Sequence, residues 1–301
     1  MWIPYGLQGH LKAESAPATI EQSKADRSER DIVVGFFVMN PVTQTWEIDI
    51  SAASATDVLQ TTIGGVAAVV AFYGGDAGKV NEVIYRLRAP SPLEAFTVCY
   101  RDLEDRLARW ALELGRGMAI AGWQIADPQH KARWRCTPFR PSAVALDPTV
   151  IEGAPPGHQA VLALYRNARN ASDPAWRLLC AVSILRSWQR QEEPFASTNR
   201  RLAYTGGHRR EHRVTFEMLV HSGAIATAPD LRDRPFEDLI DRLEPLRETI
   251  MRQLDRPHGE MSGFEARSAL VQMANLADTA AREVLLEELA FCSTSEMLLA
   301  S

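Results

Sequence analysis

The segment "CYRDLEDRLARWALELGRG", residues 99–117, decides the fold class of the first half of the chain. Large apolar residues recur there every three or four positions: Leu103, Leu107, Trp110 and Leu114. That spacing places them on one face of a helix. Gly115 and Gly117 are typical of a helix end. The segment therefore predicts one amphipathic helix.

Segments typical of β-strands lie on both sides of this helix. Before it come "DIVVGFFVMN" (31–40), "TQTWEIDI" (43–50), "VAAVVAFYGG" (66–75) and "VNEVIYRLR" (80–88), and after it comes "MAIAGWQIADPQHKARWRC" (118–136). β-Branched and aromatic residues or an alternating pattern predict strands in most of them, although 66–75 is also compatible with a short buried helix. Residues 14–30 are polar and predict a loop or a frayed helix. We therefore expect a mixed α+β domain over 1–145.

The second half of the chain has a different pattern. A stretch rich in proline and glycine predicts a linker at 146–156. Helical periodicity then dominates, and Asp173 with Pro174 is typical of a helix start. We expect an all-α antiparallel helical bundle over 157–301.

Composition restricts the class of protein. The chain has 301 residues, 46% of them hydrophobic, and a net charge of −5, which argues against a protein that coats nucleic acid non-specifically. The longest apolar run, 64–75, is too short for a membrane span, and no secretory signal is recognisable. The four cysteines show no zinc or disulfide spacing. We expect a cytoplasmic protein without a cofactor and without a membrane partner.

The segment "HRREH", 208–212, matches the H-x-x-E-H pattern of inverted zinc peptidases. On a helix, His208 and His212 would share a zinc ion, and Glu211 would act as general base. The preceding "YTGG" favours a loop, and the two arginines inside the motif would repel a cation. A zinc hydrolase is therefore the weaker hypothesis.

The same region is strongly basic. Five arginines lie close together in the sequence: Arg200, Arg201, Arg209, Arg210 and Arg213. Guanidinium groups hold phosphates by ion pairing and by bidentate hydrogen bonds, so the cluster is a candidate anion or nucleic-acid site. The alternative is a solvated loop that faces acidic helix surfaces, and the negative net charge favours that alternative.

One arginine lies within an apolar helical stripe. Arg247 follows Leu239 and Leu243 at intervals of four, which places it at the edge of the apolar face. An arginine at such an edge usually extends its head group to water and pairs with a carboxylate, here Glu244 or Glu248.

The second half resembles a known family. The segments "ALYRNARNASDPAWRLLCAVSILRSWQ", "RVTFEMLVHSGA", "PDLRDRPFEDLIDRLEPLRETIMRQ" and "SALVQMANLADTAAREVLLEEL" follow one another in this order. This arrangement, over about 157–291, is similar to the MauJ family of methylamine-utilisation proteins, which in turn resembles the HEPN class of helical bundles and its Apea-like branch. The first half resembles the N-terminal regions of such proteins.

This resemblance implies a ribonuclease motif that is incomplete here. Catalytic HEPN proteins cleave RNA without a metal, through an arginine and a histidine with four to six residues between them. Arg247 matches the arginine, but Arg252 stands where the histidine would be, and arginine cannot act as a base. Pairing Arg252 with His258 is an alternative, although Pro257 interrupts the helix. In the second helix, Arg186 replaces the usual acidic or polar residue.

The sequence therefore favours a HEPN-like binding protein without the complete catalytic pair. The resemblance implies dimerisation across helix faces, and Arg247 and Arg252 would then line a groove between protomers. We expect a homodimer with a possible RNA or protein partner. The alternative is a metal-independent endoribonuclease, with Arg247 on the phosphate and His258, His221 or His208 as base.

Overall fold

A computed structural model of the chain describes residues 10–13, 15–51, 56–75, 78–137, 157–196, 210–255 and 263–299. The chain forms two compact units. The first, here the sheet unit, comprises residues 5–140 and 261–268. The second, here the helical unit, comprises 1–4, 141–260 and 269–301. The predicted linker, 146–156, lies outside the described residues.

The sheet unit contains seven strands and two helices among its described residues. In chain order these are β1 (His10–Ala13), α1 (Pro17–Ala25), β2 (Arg30–Met39), β3 (Thr56–Ile63), β4 (Val66–Gly74), β5 (Val80–Ala89), α2 (Pro92–Leu114), β6 (Ala119–Asp127) and β7 (Ala132–Thr137). The strands form one sheet in the order β1-β7-β6-β2-β5-β4-β3, and every pair is antiparallel. The predicted α+β first half is confirmed.

The core of the sheet unit lies between one face of the sheet and α2. Alternate residues of β2 point to this core, and Phe36 packs against Tyr85 of β5 and Phe96 of α2, with ring centroids 5.9 and 5.5 Å apart. Such aromatic pairs add to the stabilisation that burial itself provides.

The helix α2 starts earlier than the sequence predicts. Ser91 caps it, because its hydroxyl accepts a hydrogen bond from the backbone N–H of Glu94 at 3.2 Å, and Pro92 occupies the first turn. The Ser-x-x-Glu spacing is that of a capping box, and here the carboxylate of Glu94 accepts from the Ser91 hydroxyl at 3.2 Å. The predicted end is confirmed, since Gly115 adopts the left-handed conformation with φ 62°.

Other predictions in this half were less accurate. The segment 43–50 is not a strand, because Asn40 turns the chain: its side-chain oxygen accepts from the backbone N–H of Val42 at 2.9 Å. The sequence did not predict β3, a polar edge strand, and the polar segment 14–30 contains α1. The ambiguous run 66–75 corresponds to β4.

The described part of the helical unit consists of helices and connecting segments. The helices are α3 (Gln159–Asn170), α4 (Pro174–Gln189), α5 (Phe216–Ser222), α6 (Phe236–Asp255) and α7 (Phe264–Leu299), whose first residues belong to the sheet unit. Asp173 caps α4 as predicted, with its carboxylate accepting from the N–H of Ala175 at 3.3 Å. The helical character predicted for the second half is confirmed, whereas its likeness to HEPN bundles stays a prediction.

Candidate functional site

A surface groove of about 540 Å³ lies among α3, α4 and α6 in the helical unit. It is lined by Leu164, Trp176, Leu179, Cys180, Ser183, Arg186, Ser187, Arg190, Glu192, Arg247 and Met251. Two large apolar side chains are unusually exposed there, Trp176 at 53% and Met251 at 48%. The groove therefore combines exposed apolar surface with three guanidinium groups.

Helix periodicity explains how Arg247 reaches this groove. On α6, Leu243 and Ile250 are buried, and Arg247 lies between them at the edge of the apolar face. Its Nε atom is 3.3 Å from Oε1 of Glu244, so the arginine pairs with one of the two glutamates that the sequence suggested. The side chain is 28% exposed and keeps part of its head group accessible.

Glu244 also joins α6 to α4. The same oxygen, Oε1, accepts a hydrogen bond from Nη1 of Arg186 at 3.1 Å. The position that departs from the HEPN pattern in the second helix therefore lies beside Arg247, with one carboxylate between two guanidinium groups. Arg190 adds a third positive charge and is 3.7 Å from Glu192, in a pair exposed to solvent. Such an exposed pair contributes little to stability.

The other residues of the ribonuclease hypothesis are not among the described residues that line the groove. Arg252 is exposed and donates to the hydroxyl of Thr249 at 3.0 Å. Five residues along a helix correspond to a rotation of about 140° from Arg247, so Arg252 is not among the residues that line the groove. His258 lies outside the described residues. None of the residues that line the groove is a histidine.

The basic cluster is only partly described. Arg200, Arg201 and Arg209 lie outside the described residues. Arg210 is exposed, and its backbone N–H donates to Glu287 at 3.3 Å. Arg213 donates to the carboxylate of Glu211 and to the carbonyl of Asp233, each at 2.7 Å. Its guanidinium is therefore already engaged by groups of its own chain.

The H-x-x-E-H segment does not form a helix over its described residues, 210–212. His208 lies outside them, and Glu211 pairs with Arg213. His212 is buried: its Nδ1 lies 3.2 Å from Glu283, its Nε2 contacts Glu287, and its ring stacks on Phe236 with centroids 5.2 Å apart. Both ring nitrogens thus face carboxylates of α7. Within the part of the chain that the structure describes, no group of three or more His, Cys, Asp or Glu residues is suitable for a metal ion.

A buried polar cluster that no sequence motif indicated lies in the core of the helical unit. Arg177 of α4 is 1% exposed; its Nη1 donates to Oδ1 of Asn275 at 3.1 Å and its Nη2 to the carbonyl of Ala171 at 2.6 Å. Asn275 of α7 in turn donates to the carbonyl of Ser222, at the end of α5, at 3.4 Å. One arginine therefore connects α4, the end of α3 and α7.

A second buried pair lies one turn further along α7. Asp278 is 2% exposed and accepts a hydrogen bond from Arg169 of α3. Burial raises the pKa of Asp278, although the nearby arginines act in the opposite direction. Burial likewise lowers the pKa of Arg177 to about 10, which still leaves the guanidinium charged at neutral pH. The signal in the sequence was the presence of Asn275 and Asp278 inside an apolar run.

The sheet unit also contains a polar network on the sheet face opposite α2. Gln124 donates from Nε2 to Glu82 and accepts from Nη2 of Arg133 at 2.8 Å. These side chains cross over Gly35, where a Cβ atom would lie 2.8 Å from Cγ of Gln124. Burial raises the pKa of Glu82. The network covers four neighbouring strands, since its side chains come from β7, β6 and β5 and it crosses β2 at Gly35. No motif in the sequence indicated it.

No helix among the described residues is both long and apolar enough to cross a membrane. This finding agrees with the absence of a membrane-spanning run in the sequence.

Comparison with known proteins gives consistent matches over the whole chain. Residues 5–136 match the family model described as "Methylamine utilization protein MauJ, N-terminal domain". The chain is 50% identical over 303 residues to the methylamine utilization protein MauJ of Methylorubrum extorquens, with 100% of both chains covered. It is 40% identical over 293 residues to the protein of that name from Paracoccus denitrificans, with 96% of each covered. No solved structure matches the chain.

Proposed function

Because the chain belongs to the MauJ family of methylamine utilization proteins, we propose that it serves methylamine utilisation as an accessory protein that acts by binding. The groove among α3, α4 and α6 is the binding surface. The observation that carries this proposal is the pairing of Arg186 and Arg247 around Glu244, beside the exposed side chains of Trp176 and Met251. Tryptophan and arginine are enriched among the residues that contribute most of the binding energy at protein interfaces, and methionine is enriched in such interfaces as a whole.

The chemistry of the groove supports binding more than catalysis. Its arginines cannot act as bases. Burial raises the pKa of the Cys180 thiol, so this cysteine remains protonated and a weak nucleophile at neutral pH. The groups that remain are suited to hold a partner, by apolar contact and by charge.

The charges indicate the kind of partner. Three arginines face the groove, against the two carboxylates of Glu192 and Glu244, so positive charge is in excess. A protein segment that presents an apolar side chain to Trp176 and Met251, and a carboxylate to Arg190 or Arg247, would complement both features. A second copy of this chain is one such partner, and the HEPN-like arrangement that the sequence suggests would be compatible with it.

The test uses a host that grows on methylamine and whose own gene for this protein is deleted. It is complemented with the wild-type chain, with Trp176→Ala combined with Arg190→Glu, and with Arg252→Glu as a control outside the groove. Both altered positions of the groove variant are exposed, so its thermal unfolding should match that of the wild type. We expect the groove variant to fail to restore growth on methylamine and the control to restore it. Full growth with the groove variant would refute the proposal.

Two measurements on the purified protein identify the class of partner. Light scattering of the wild type and the groove variant shows whether the groove joins two copies, in which case the variant shifts from dimer to monomer. Incubation with RNA in EDTA, with Arg247→Ala beside the wild type, examines the ribonuclease alternative. Cleavage that survives EDTA and disappears in the variant would replace the binding proposal with a HEPN-type ribonuclease.

A further inference from the structure

A second hollow, of about 390 Å³, lies within the sheet unit, on the face of the sheet that α2 covers. Its volume is in the range of small-molecule sites. It is lined by Lys24, Arg27, Ser91, Pro92, Leu93, Phe96, Trp123, Ile125, Trp134 and Phe264. None of these residues belongs to a candidate functional motif of the sequence.

Strand register explains why the aromatic residues meet there. Trp123 and Ile125 alternate along β6 and therefore share one face of the sheet. Trp134 of β7 lies directly opposite Ile125 in the antiparallel ladder and points to the same face. Two tryptophans, 9% and 7% exposed, thus form the floor of the hollow.

The walls of the hollow are held by ring contacts. Phe96 of α2 meets Trp123 edge to face at a centroid distance of 5.2 Å. Phe264 meets Phe96 at 4.7 Å with an interplanar angle of 82°. These contacts lock each ring against its neighbours, so the hollow does not depend on a ligand for its shape.

The polar groups around this apolar hollow share one property, which is that each can donate a hydrogen bond. Apart from the two tryptophans, they are the ammonium of Lys24, the guanidinium of Arg27 and the hydroxyl of Ser91. None of the lining residues is acidic.

We propose that this hollow binds a small apolar carboxylate. The apolar body of the ligand lies against the four aromatic rings, and its carboxylate lies at the edge formed by Lys24 and Arg27. Both cations already have exposed carboxylate partners. Nζ of Lys24 is 2.9 Å from Oε1 of Glu21, and Nη1 of Arg27 is 3.7 Å from Oε1 of Glu94. Such exposed pairs are weak, so a carboxylate that is partly shielded by the rings would compete with them.

The same lining disfavours the opposite class of ligand. An alkylammonium group in the hollow would find two cations and no carboxylate among the lining residues, so it would gain less than a carboxylate does. No residue lines both this hollow and the groove of the helical unit. The carboxylate site is therefore independent of the proposed binding function.

The test compares three ligands of one shape on the full-length protein by isothermal titration calorimetry. They are 3-(2-naphthyl)propionate, its primary amide, and 3-(2-naphthyl)propylamine. We expect saturable binding of the carboxylate with one site per chain, about tenfold tighter than the amide, and weaker binding still of the amine. Equal or tighter binding of the amine, or no saturable binding of the carboxylate, would overturn the proposal.

Variants then locate the site. Lys24→Gln combined with Arg27→Gln alters only exposed side chains, and we expect it to weaken carboxylate binding about tenfold and to leave amide binding unchanged. Arg88→Gln, an exposed arginine on the opposite face of the sheet, is the matched control and should bind as the wild type does. If the double variant binds the carboxylate as well as the control does, the carboxylate is not held at this edge and the proposal fails.

Discussion

Buried polar groups lie at different places in the cores of the two units. In the sheet unit the centre of the core is apolar and aromatic, and its buried ion pair, Arg30 with Asp127, lies at the margin, where β2 and β6 meet the loop around Ser28. In the helical unit the central helix α7 carries polar residues into the core. Asn275 and Asp278 there hold arginines of two other helices, Arg177 and Arg169.

The difference follows from where backbone hydrogen bonds are formed. Strands satisfy their N–H and C=O groups on neighbouring strands, so the ladder itself sets the register of the sheet unit. Helices satisfy these groups internally, and their backbones leave the mutual rotation and shift of two helices undetermined. In the helical unit, we expect the buried side-chain hydrogen bonds to supply that missing specification, as core polar residues do in some other proteins.

The largest expected loss of stability comes from removing a side chain that connects the helices. Arg177→Ala should destabilise the protein by about 2–6 kcal/mol, because it leaves Asn275 and the Ala171 carbonyl without their buried donor, at about 1–3 kcal/mol for each unsatisfied group. Urea unfolding followed by circular dichroism measures the change. Arg252→Ala, an exposed arginine in the same unit, is the control and should stay within about 0.5 kcal/mol of the wild type. A loss for Arg177→Ala as small as that of the control would refute the specifying role of Arg177.

The next prediction compares how the contributions of two buried aspartates, Asp127 and Asp278, to stability depend on pH. Burial raises the pKa of Asp127, but hydrogen bonds from Ser23 and Arg30 outweigh burial and leave the pKa below its usual value. The charged form therefore stabilises the fold above the unfolded-state pKa, and this contribution is lost as pH falls through the folded-state pKa. Asp127→Asn should cost about 1.5–3 kcal/mol at neutral pH, the value of hydrogen bonds to a charged group.

Asp278 should show the opposite dependence. Its pKa is raised by burial, so the protonated form is preferred in the folded state, and its contribution is lost as pH rises through the folded-state pKa. On acidification from about pH 7 to about pH 3, which passes below the unfolded-state pKa of an aspartate, we expect the stability difference from wild type to narrow for Asp127→Asn and to widen for Asp278→Asn. Urea unfolding at both pH values measures it, and the same trend in both variants would contradict this contrast between the units.

A smaller effect is expected in the apolar core of the sheet unit. Ile32 is fully buried in β2. Ile32→Val removes one methylene and should lower the free energy of unfolding by about 0.5–1.5 kcal/mol. We expect no larger loss, because backbone hydrogen bonds between the strands keep the register of the sheet when this side chain is shortened. A cost near that of Arg177→Ala would show that side chains also specify the register of the sheet unit.

The smallest effect concerns the buried thiols. Burial raises the pKa of Cys99 well above its usual range and also raises that of Cys180. Both should therefore resist iodoacetamide in the folded protein at neutral pH and react only after unfolding in urea. Mass spectrometry of the alkylated peptides measures this, and rapid alkylation of Cys180 in the native protein would indicate a more open helical core.

The sequence by itself determined those elements whose signals are local, namely periodicity and capping residues, although β3 was not predicted and the segment that contains α1 was compatible with a loop or a frayed helix. The amphipathic helix that ends at Gly115, the strand 31–40 and the helix start at Asp173 were all predicted. So was the edge position of Arg247, since four-residue spacing within one helix decides it. The resemblance to the MauJ family also came from the sequence.

Only the tertiary structure decided which distant residues meet. The hydrogen bond from Arg186 to Glu244, which brings Arg186 beside Arg247, joins positions 58 residues apart, and the contact between Arg177 and Asn275 spans 98 residues. His212, which resembled a zinc ligand in the sequence, lies between two carboxylates of α7 because helix packing brings them there. The hollow floored by Trp123 and Trp134 likewise depends on strand register and on α2. Local pattern specifies which face a side chain occupies, but the partner on that face is set by packing between elements, and chemistry depends on the partner.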